Sequence, residues 1–488
     1  MVTPASMNMD AMFRCDFKDA PAELAHFWEH TVGSDHALMA LRADWREQLK
    51  RCHDELGFRH VRFHGLLSDD VGTLICHNDA PLYSFFNADQ IVDFLLSIGM
   101  KPFVELSFMP AMLASGDKTV FNYRGNVTAP KDYGQWAALI GKLVAHWVER
   151  YGVAEVRTWF FEVWNEPNLE YFGSGRQSDY FTLYRHSAQA IKAIDTQLRV
   201  GGPATAMNAW IADFRDFCAR GGIPVDFIST HHYPTDAFGK EGDDTETQLS
   251  LSPRSVLREQ ARGVRAQAGD LPVYYTEWNS SSNSRDPLHD EPFAAAFVIK
   301  TVMEASGLVQ GYSYWTFSDI FEENYFPSEP FHGGFGLLTL HGIAKPAYRA
   351  FELLRQLGTA LLPVEGSHAT ADAWVIRHAA QATILLTNFA LPRQPIATTR
   401  VRVSLRNAQA PLRATIQRID AHHANAKRCW QDLGTPTYPD PSALAQLRAA
   451  SAMEHEVQLF GYADGILEFD VALPPQAVAA VTVHFAAH

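Results

Sequence analysis

The chain has 488 residues, 47% of them hydrophobic and 20% charged, and a formal net charge of −14. That length exceeds one ordinary core, so two or three domains are expected, and the apolar content argues against disorder. The acidic balance argues against nucleic acid or an anionic membrane surface as a partner and leaves neutral or cationic small molecules open.

The first residues, MVTPASMNMDAMF, lack both the basic n-region and the apolar stretch of a signal peptide. No run approaches 18 uninterrupted apolar residues, so no membrane span is expected and the location expected is cytoplasmic. Cys15, Cys52, Cys76, Cys218 and Cys429 are scattered, without CxxC spacing, and read as free thiols. The segment MFRCDF alternates, so residues 1–20 are expected to add a strand to a β domain elsewhere in the chain.

From residue 21 to 358, short apolar segments alternate with longer helical patterns. Strands are predicted at 25–32, 59–64, 102–108, 158–165, 198–202, 226–233, 272–278 and 310–317. In 133–150 the residues Trp136, Leu139, Ile140, Leu143, Val144, Trp147 and Val148 fall on one helix face. Further helices are predicted at 44–56 and 88–99, stopped by Gly57 and Gly99, and at 178–194, 252–268 and 290–306. Eight strands, each followed by a helix, predict an α/β fold: a (β/α)8 TIM barrel. No GxGxxG follows any strand, which removes the doubly wound alternative. After 358 the texture turns to alternating segments such as ADAWVIRHA, QATILLTNFA and GILEFDVALP, which predict a β-sandwich over 359–488. Residues 422–455 read as a longer connection with one short helix.

In such a barrel the residues at the C-terminal strand ends face the active site. Those ends carry His64; Asn165 and Glu166; His231, His232 and Tyr233; Glu277, Trp278 and Asn279; Trp315, Ser318 and Asp319. The following loops add Glu322, Glu323 and FHGGFG (331–336), and Trp28 is placed with them. Either glutamate alone is compatible with a salt bridge at a barrel rim. Two of them, each ending a long aromatic strand and flanked by Asn and His, make the kit for glycoside hydrolysis, in which one acid protonates the leaving oxygen and the other attacks the anomeric carbon. Aromatic rings would stack on the apolar face of a sugar.

The segment WNEPN (164–168) after an apolar strand resembles the acid/base motif of the clan A glycoside hydrolases, whose fold is a (β/α)8 barrel, and YYTEWN (274–279) resembles that clan's nucleophile strand. More narrowly, RFHGLLSDDVG (62–72), VELSFMPAMLASG (104–116), STHHYPTD (229–236), YWTFSDIFEE (314–323) and PFHGGFGLL (330–338) resemble glycoside hydrolase family 39, which contains β-xylosidases and, more distantly, α-L-iduronidases. The likeness spans about residues 20–358. It implies Glu166 as general acid/base, Glu277 as nucleophile and Asn165 on the sugar 2-hydroxyl. It also implies that His231 and Tyr233 orient Glu277, that His64, Glu322 and Glu323 hold the remaining hydroxyls, and that Trp315 is the stacking floor. The mechanism implied is retaining, with the carboxyl groups roughly 5–5.5 Å apart and Glu166 held protonated.

A uronate needs a cationic clamp, and SDIFEENYFPSEPFHGG carries three glutamates and no Arg or Lys. The reading is therefore an exo-acting retaining β-D-xylosidase for xylobiose and short xylo-oligosaccharides. The alternatives are another retaining exo-glycosidase, an α-L-arabinosidase or β-galactosidase, or a non-catalytic carbohydrate-binding barrel. A bulky side chain near C5, Phe108 or Phe335, would exclude glucose. No HExxH occurs among the 21 histidines, the FHGGFG loop has no G-x-S-x-G elbow to serve, and KEGDDTET (240–247) lacks calcium-ligand periodicity. No metal or cofactor is expected, and monomer and homo-oligomer both stay open.

Overall fold

A computed structural model describes residues 10–78, 80–236 and 242–486. Residues 1–9 of the segment read for a signal peptide, and Lys240 and Glu241 at the start of KEGDDTET, lie outside the described residues.

Eight parallel strands close into a barrel: β1 (Thr31–His36), β2 (His60–His64), β3 (Lys101–Leu106), β4 (Phe160–Val163), β5 (Arg199–Thr205), β6 (Phe227–His232), β7 (Val273–Trp278) and β8 (Gly311–Tyr314). Eight helices cover it: α1 (Ala43–Leu56), α2 (Phe86–Ser97), α3 (Tyr133–Tyr151), α4 (Gln177–Ile194), α5 (Ile211–Gly221), α6 (Val256–Ala268), α7 (Pro292–Ala305) and α8 (Pro346–Arg355). Each crossover buries an apolar helix face on the sheet. In α3 that face is Trp136, Leu139, Ile140, Leu143, Val144 and Trp147, and Asp132 caps its start by accepting from the amides of Gly134 and Gln135.

Four details differ from expectation. The first strand is Thr31–His36, not 25–32, because Phe27–Glu29 forms a 3-10 turn in which Trp28 stacks on His26 and is fully buried. The polar run TVGSDH is the true strand. It tolerates no side chain at Gly33, where a Cβ would collide with the Trp315 ring. The helices α5 and α8 escape the apolar-periodicity search, and 422–455 holds two helices, Ala426–Asp432 and Pro441–Ala450, rather than one. Finally, β4 stops at Val163, before Pro167: Trp164 (φ 70°) and Glu166 (φ 43°) take left-handed conformations and turn the chain.

Among the described residues, two short hairpins (Leu74–His77 with Ala80–Tyr83, and Thr119–Val120 with Gly125–Asn126) lie in barrel loops, and the other strands form two sheets packed around a second apolar core that includes Phe13, Leu386, Val403 and Phe469. Ala11–Asp16 pairs in parallel with Thr399–Arg406 in one sheet, and Ala22–Glu23 pairs with Ala360–Leu362 in the other. This β-sandwich abuts the barrel through α7, whose Phe293 and Phe297 pack on Phe389. That contact explains why α7 is buried all round instead of along one stripe.

Candidate active site

Alternate residues of a barrel strand point into the lumen. On β2 these are His60, Arg62 and His64, and Arg62 sits at the centre of the barrel with no exposure. Its guanidinium donates from Nε to Glu162 Oε2 at 2.5 Å, from Nη1 to Glu277 Oε1 at 2.8 Å and from Nη2 to Asn165 Oδ1 at 3.0 Å. Nη2 also lies 2.7 Å from Glu105 Oε2. Three buried carboxylates thus share one cation in a fully hydrogen-bonded cluster, the condition under which buried charge is tolerated. Burial works against the charge of Glu105, yet Arg62 and His64 hold its carboxyl below the ordinary range.

Glu277 ends β7 above this cation. Its second oxygen accepts from the Tyr233 hydroxyl at 2.9 Å. Burial pushes the Glu277 carboxyl up, and Arg62, His64 and the Tyr233 hydroxyl pull against that rise. Glu166 is mounted on the turn after β4, where its own N–H donates to Ala204 O at 2.8 Å. Asn168 braces the same turn, its side chain accepting from Ala206 N at 2.9 Å and donating to Ala206 O at 3.1 Å. An oxygen of Glu166 and one of Glu277 lie within 4.8 Å of each other.

The residues given site roles from sequence stand as follows. His64, Asn165, Glu166, Tyr233, Glu277, Trp315 and Glu323 line one cavity of about 310 Å³, together with Phe335 and, toward the mouth, Tyr171 and Met207. His231 lies buried behind the two carboxylates, and its Nδ1 is 3.0 Å from Glu166 Oε1 but 3.6 Å from Glu277 Oε2. The geometry therefore joins it first to Glu166, not to Glu277 as expected, because the turn at Glu166 swings that carboxyl over β6. Glu322 faces away from the cavity. Its Oε1 lies 3.2 Å from His36 Nε2 and its N–H donates to Asp35 Oδ2 at 2.7 Å, so it anchors the loop that presents Glu323. Trp28 is also absent from the cavity. It precedes β1, at the opposite end of the strand from the site.

Asn165 has its oxygen engaged by Arg62, which leaves its NH2 group as the donor available to the cavity. His64 Nδ1 donates to the Glu105 carboxylate at Oε2 (2.8 Å), and its other nitrogen lies 3.5 Å from Glu323 Oε1. Burial, then the charges of Asp35, Glu277 and Glu166, raise the Glu323 carboxyl well above the ordinary range. The neighbouring His36 stacks on Tyr123 at 3.8 Å and pairs with Asp70 at 3.0 Å. Burial opposes its charge, but Asp35 and Asp70 carry it up to about 9.

Opposite this polar side, Tyr233, Trp315, Phe321 and Phe335 form one apolar wall. The Asn279 amide donates to Trp315 O at 2.6 Å and fixes that ring's backbone. The 331–336 loop carrying Phe335 is pinned by the buried Lys345, whose Nζ lies 2.7 Å from Asp290 Oδ1 and 2.7 Å from Asp319 Oδ2 and donates to Gly334 O at 2.9 Å. Gly336 donates its N–H to Asp319 Oδ1 at 2.8 Å, and a Cβ there would strike the Asp319 backbone. Phe108 sits behind the cavity against Trp164 and Phe172.

Sequence reasoning missed Arg62, Asp35 and His36. Arg62, the second Arg of RHVRFH, reads as a solvent-facing residue of an alternating strand, and only closure of the barrel turns that face inward. An available signal was its position two residues before His64, on the same strand face.

The family model for glycosyl hydrolases family 39 matches residues 13–467. A β-xylosidase of Caldicellulosiruptor saccharolyticus is 48% identical over 463 residues, covering 94% of this chain and 95% of that protein. A β-xylosidase of Geobacillus stearothermophilus is 38% identical over 470 residues, covering 93% and 92%. Among solved structures, a monomeric β-xylosidase from Caulobacter crescentus CB15 superposes with a TM-score of 0.87 at 35% identity, covering 98% of this chain and all of that one.

Proposed function

Since this chain belongs to glycosyl hydrolases family 39, we propose that its cavity removes β-D-xylose from the non-reducing ends of xylobiose and short xylo-oligosaccharides by a retaining double displacement. The protein is a glycoside hydrolase of the β-xylosidase type. One observation carries the mechanism: oxygens of Glu166 and Glu277 approach within 4.8 Å. Inverting enzymes need roughly 6.5–9.5 Å between the carboxyl groups to admit a water, whereas retaining ones sit near 5–5.5 Å.

Glu277 is the nucleophile, held by Arg62 and Tyr233 so that one oxygen attacks C1 as an ion. Arg62 and the Tyr233 hydroxyl favour the charged form of Glu277 against its burial, while burial and the neighbouring charges of Asp35, Glu277 and Glu166 favour the neutral form of Glu323. Glu166 gives its proton to the leaving oxygen and later takes one from the incoming water. The Asn165 NH2 donates to the 2-hydroxyl, a contact that strengthens as charge develops at C1. His64 and Glu323 hold the 3- and 4-hydroxyls, and Trp315 supports the ring. None of the described residues lining the cavity is Lys or Arg, so it offers no clamp for a uronate carboxylate. Its volume lies at the small end of ligand pockets, roughly 300–1,000 Å³, which suits a terminal sugar over a long chain.

Nitrophenyl glycosides test the substrate: the β-D-xyloside is expected to be cleaved fastest, ahead of the α-L-arabinoside and β-D-galactoside. Glu277→Ala is expected to abolish turnover and to regain part of it with azide, yielding the α-azide. Undiminished hydrolysis by that variant would sink the assignment.

A further inference from the structure

His231 bridges the acid to a chain of hydrogen bonds whose directions can be read one after another. Glu162 Oε2 accepts Arg62 Nε at 2.5 Å, so Glu162 is an ion and can only accept. Its other oxygen lies 2.7 Å from the Thr276 hydroxyl, which therefore donates its single proton to Glu162. Thr276 Oγ1 is also 3.1 Å from His231 Nε2. With its proton already committed, that oxygen can only accept, so the imidazole proton resides on Nε2.

Burial, followed by the charges of Arg62 and His64, keeps His231 neutral. A neutral imidazole has one N–H, so Nδ1 presents a lone pair. The atom facing it at 3.0 Å is Glu166 Oε1. A lone pair cannot bond a carboxylate oxygen, so a proton must lie between them, and it belongs to Glu166. Glu277 is the poorer claimant: it is 3.6 Å from Nδ1 and already accepts from Arg62 and Tyr233. The charged and titratable groups facing this imidazole are Arg62 and His64 from β2, Glu166 from the turn after β4, Glu277 from β7 and His232 on its own strand.

We propose that Arg62, Glu162 and Thr276 lock His231 as the Nε2–H tautomer, so that its Nδ1 accepts the catalytic proton of Glu166 and stores it until the substrate arrives. Thr276 and Glu162 are thus positioning residues for the acid, and the inference rests on the reading of Glu166 as acid/base. In glycosylation the Glu166 O–H breaks, its proton goes to the glycosidic oxygen as the C1–O bond breaks, and C1 bonds to Glu277. The Glu166 carboxylate then faces the Nδ1 lone pair, an unfavourable pairing. Water ends it by giving its proton to Glu166 while its oxygen bonds C1 and the Glu277 ester breaks. The pairing thus keeps the acid loaded at rest and makes its carboxylate the readier base in deglycosylation.

Thr276→Val removes the hydroxyl at nearly constant volume. The imidazole proton is then free to sit on Nδ1 and stabilise the Glu166 carboxylate. The basic limb of the kcat/KM–pH profile is expected to move down by about one unit, with xylobiose losing at least ~10-fold more activity than a dinitrophenyl xyloside. Thr276→Ser is expected to restore both. A Val variant with an unmoved limb and an unchanged leaving-group dependence would overturn the proposal. Neutron diffraction on the unaltered enzyme reads the tautomer without reference to activity: deuterium on His231 Nε2 and on Glu166 is expected, and deuterium on Nδ1 overturns the proposal even if every variant misfolds. If Glu166→Ala instead cleaves xylobiose normally, the acid/base reading itself fails, whatever the neutron map shows.

Discussion

The two ends of the barrel lumen are built from the same strands and do opposite things. At the closed end Phe103, Phe160, Phe227 and Tyr274 pack ring on ring, with Phe103 and Phe160 stacked at 5.1 Å. His30 and His60 stack on each other at 4.5 Å beside them. Two residues further along β2, β3, β4 and β7 come Arg62, Glu105, Glu162 and Thr276, and the next layer is the site. The ring layer gains from burial with few demands on direction. The charged layer pays heavily in desolvation and is repaid only when every partner is present. A strand that changes from one to the other within two residues has a stability end and a chemistry end.

Variants can break that division. Arg62→Met should have the largest effect, since it strands Glu105, Glu162 and Glu277 without their cation. A loss of about 3–5 kcal/mol in urea unfolding is expected, together with a fall in kcat/KM of at least ~10³-fold. Near-normal turnover would show that the charged layer is not part of the chemistry. Phe160→Ala should cost a similar ~3–5 kcal/mol through its cavity while leaving kcat/KM below the melting point within about threefold. A shifted pH profile in that variant would join the two ends.

Acid and alkali should also attack different ends. Burial holds His60 at about 4, below its unfolded value of ~6.5, so the unfolded chain takes that proton first as pH falls. Its share, roughly 3 kcal/mol, is present above pH ~6.5 and lost on the way down through about 4. His36 is the reverse. Raised to about 9, it contributes fully below pH ~6.5, and its roughly 3 kcal/mol is lost as pH rises through 9. Thermal melts across pH should show a shallower acid limb in His60→Gln, with His30 still contributing, and a shallower alkaline limb in His36→Gln. The smallest effect sharpens the picture inside the chemistry end. Phe335→Ala should raise β-glucoside relative to β-xyloside cleavage by roughly 10-fold, because the wall beside Tyr233 is where a pyranose with its hydroxyls on Asn165, His64 and Glu323 would place C5. An unchanged ratio would remove Phe335 as the gate.

Much of this was legible along the chain. Seven of the eight barrel strands, six of the helices between them, the two strand-end glutamates and the helix face of α3 depend on spacing within a few residues, and local periodicity carries such information. The failures share one cause. Trp28 lies in an aromatic run that mimics a strand, yet that run folds as a 3-10 turn with Trp28 buried against His26 and Phe27. Glu322 and Glu323 are adjacent and chemically identical, yet one turns to His36 and the other to the cavity. His231 reaches Glu166 across 65 positions and Arg62 reaches Glu277 across 215.

By itself, then, the sequence determined which side chains stand at the mouth of the barrel, because strand length and period set where each strand ends. Only the tertiary structure decided which of them touch, which face inward and where the protons lie. Those depend on barrel closure, which brings β2, β4, β6 and β7 around one lumen, and on hydrogen-bond direction, which a residue acquires from its partners.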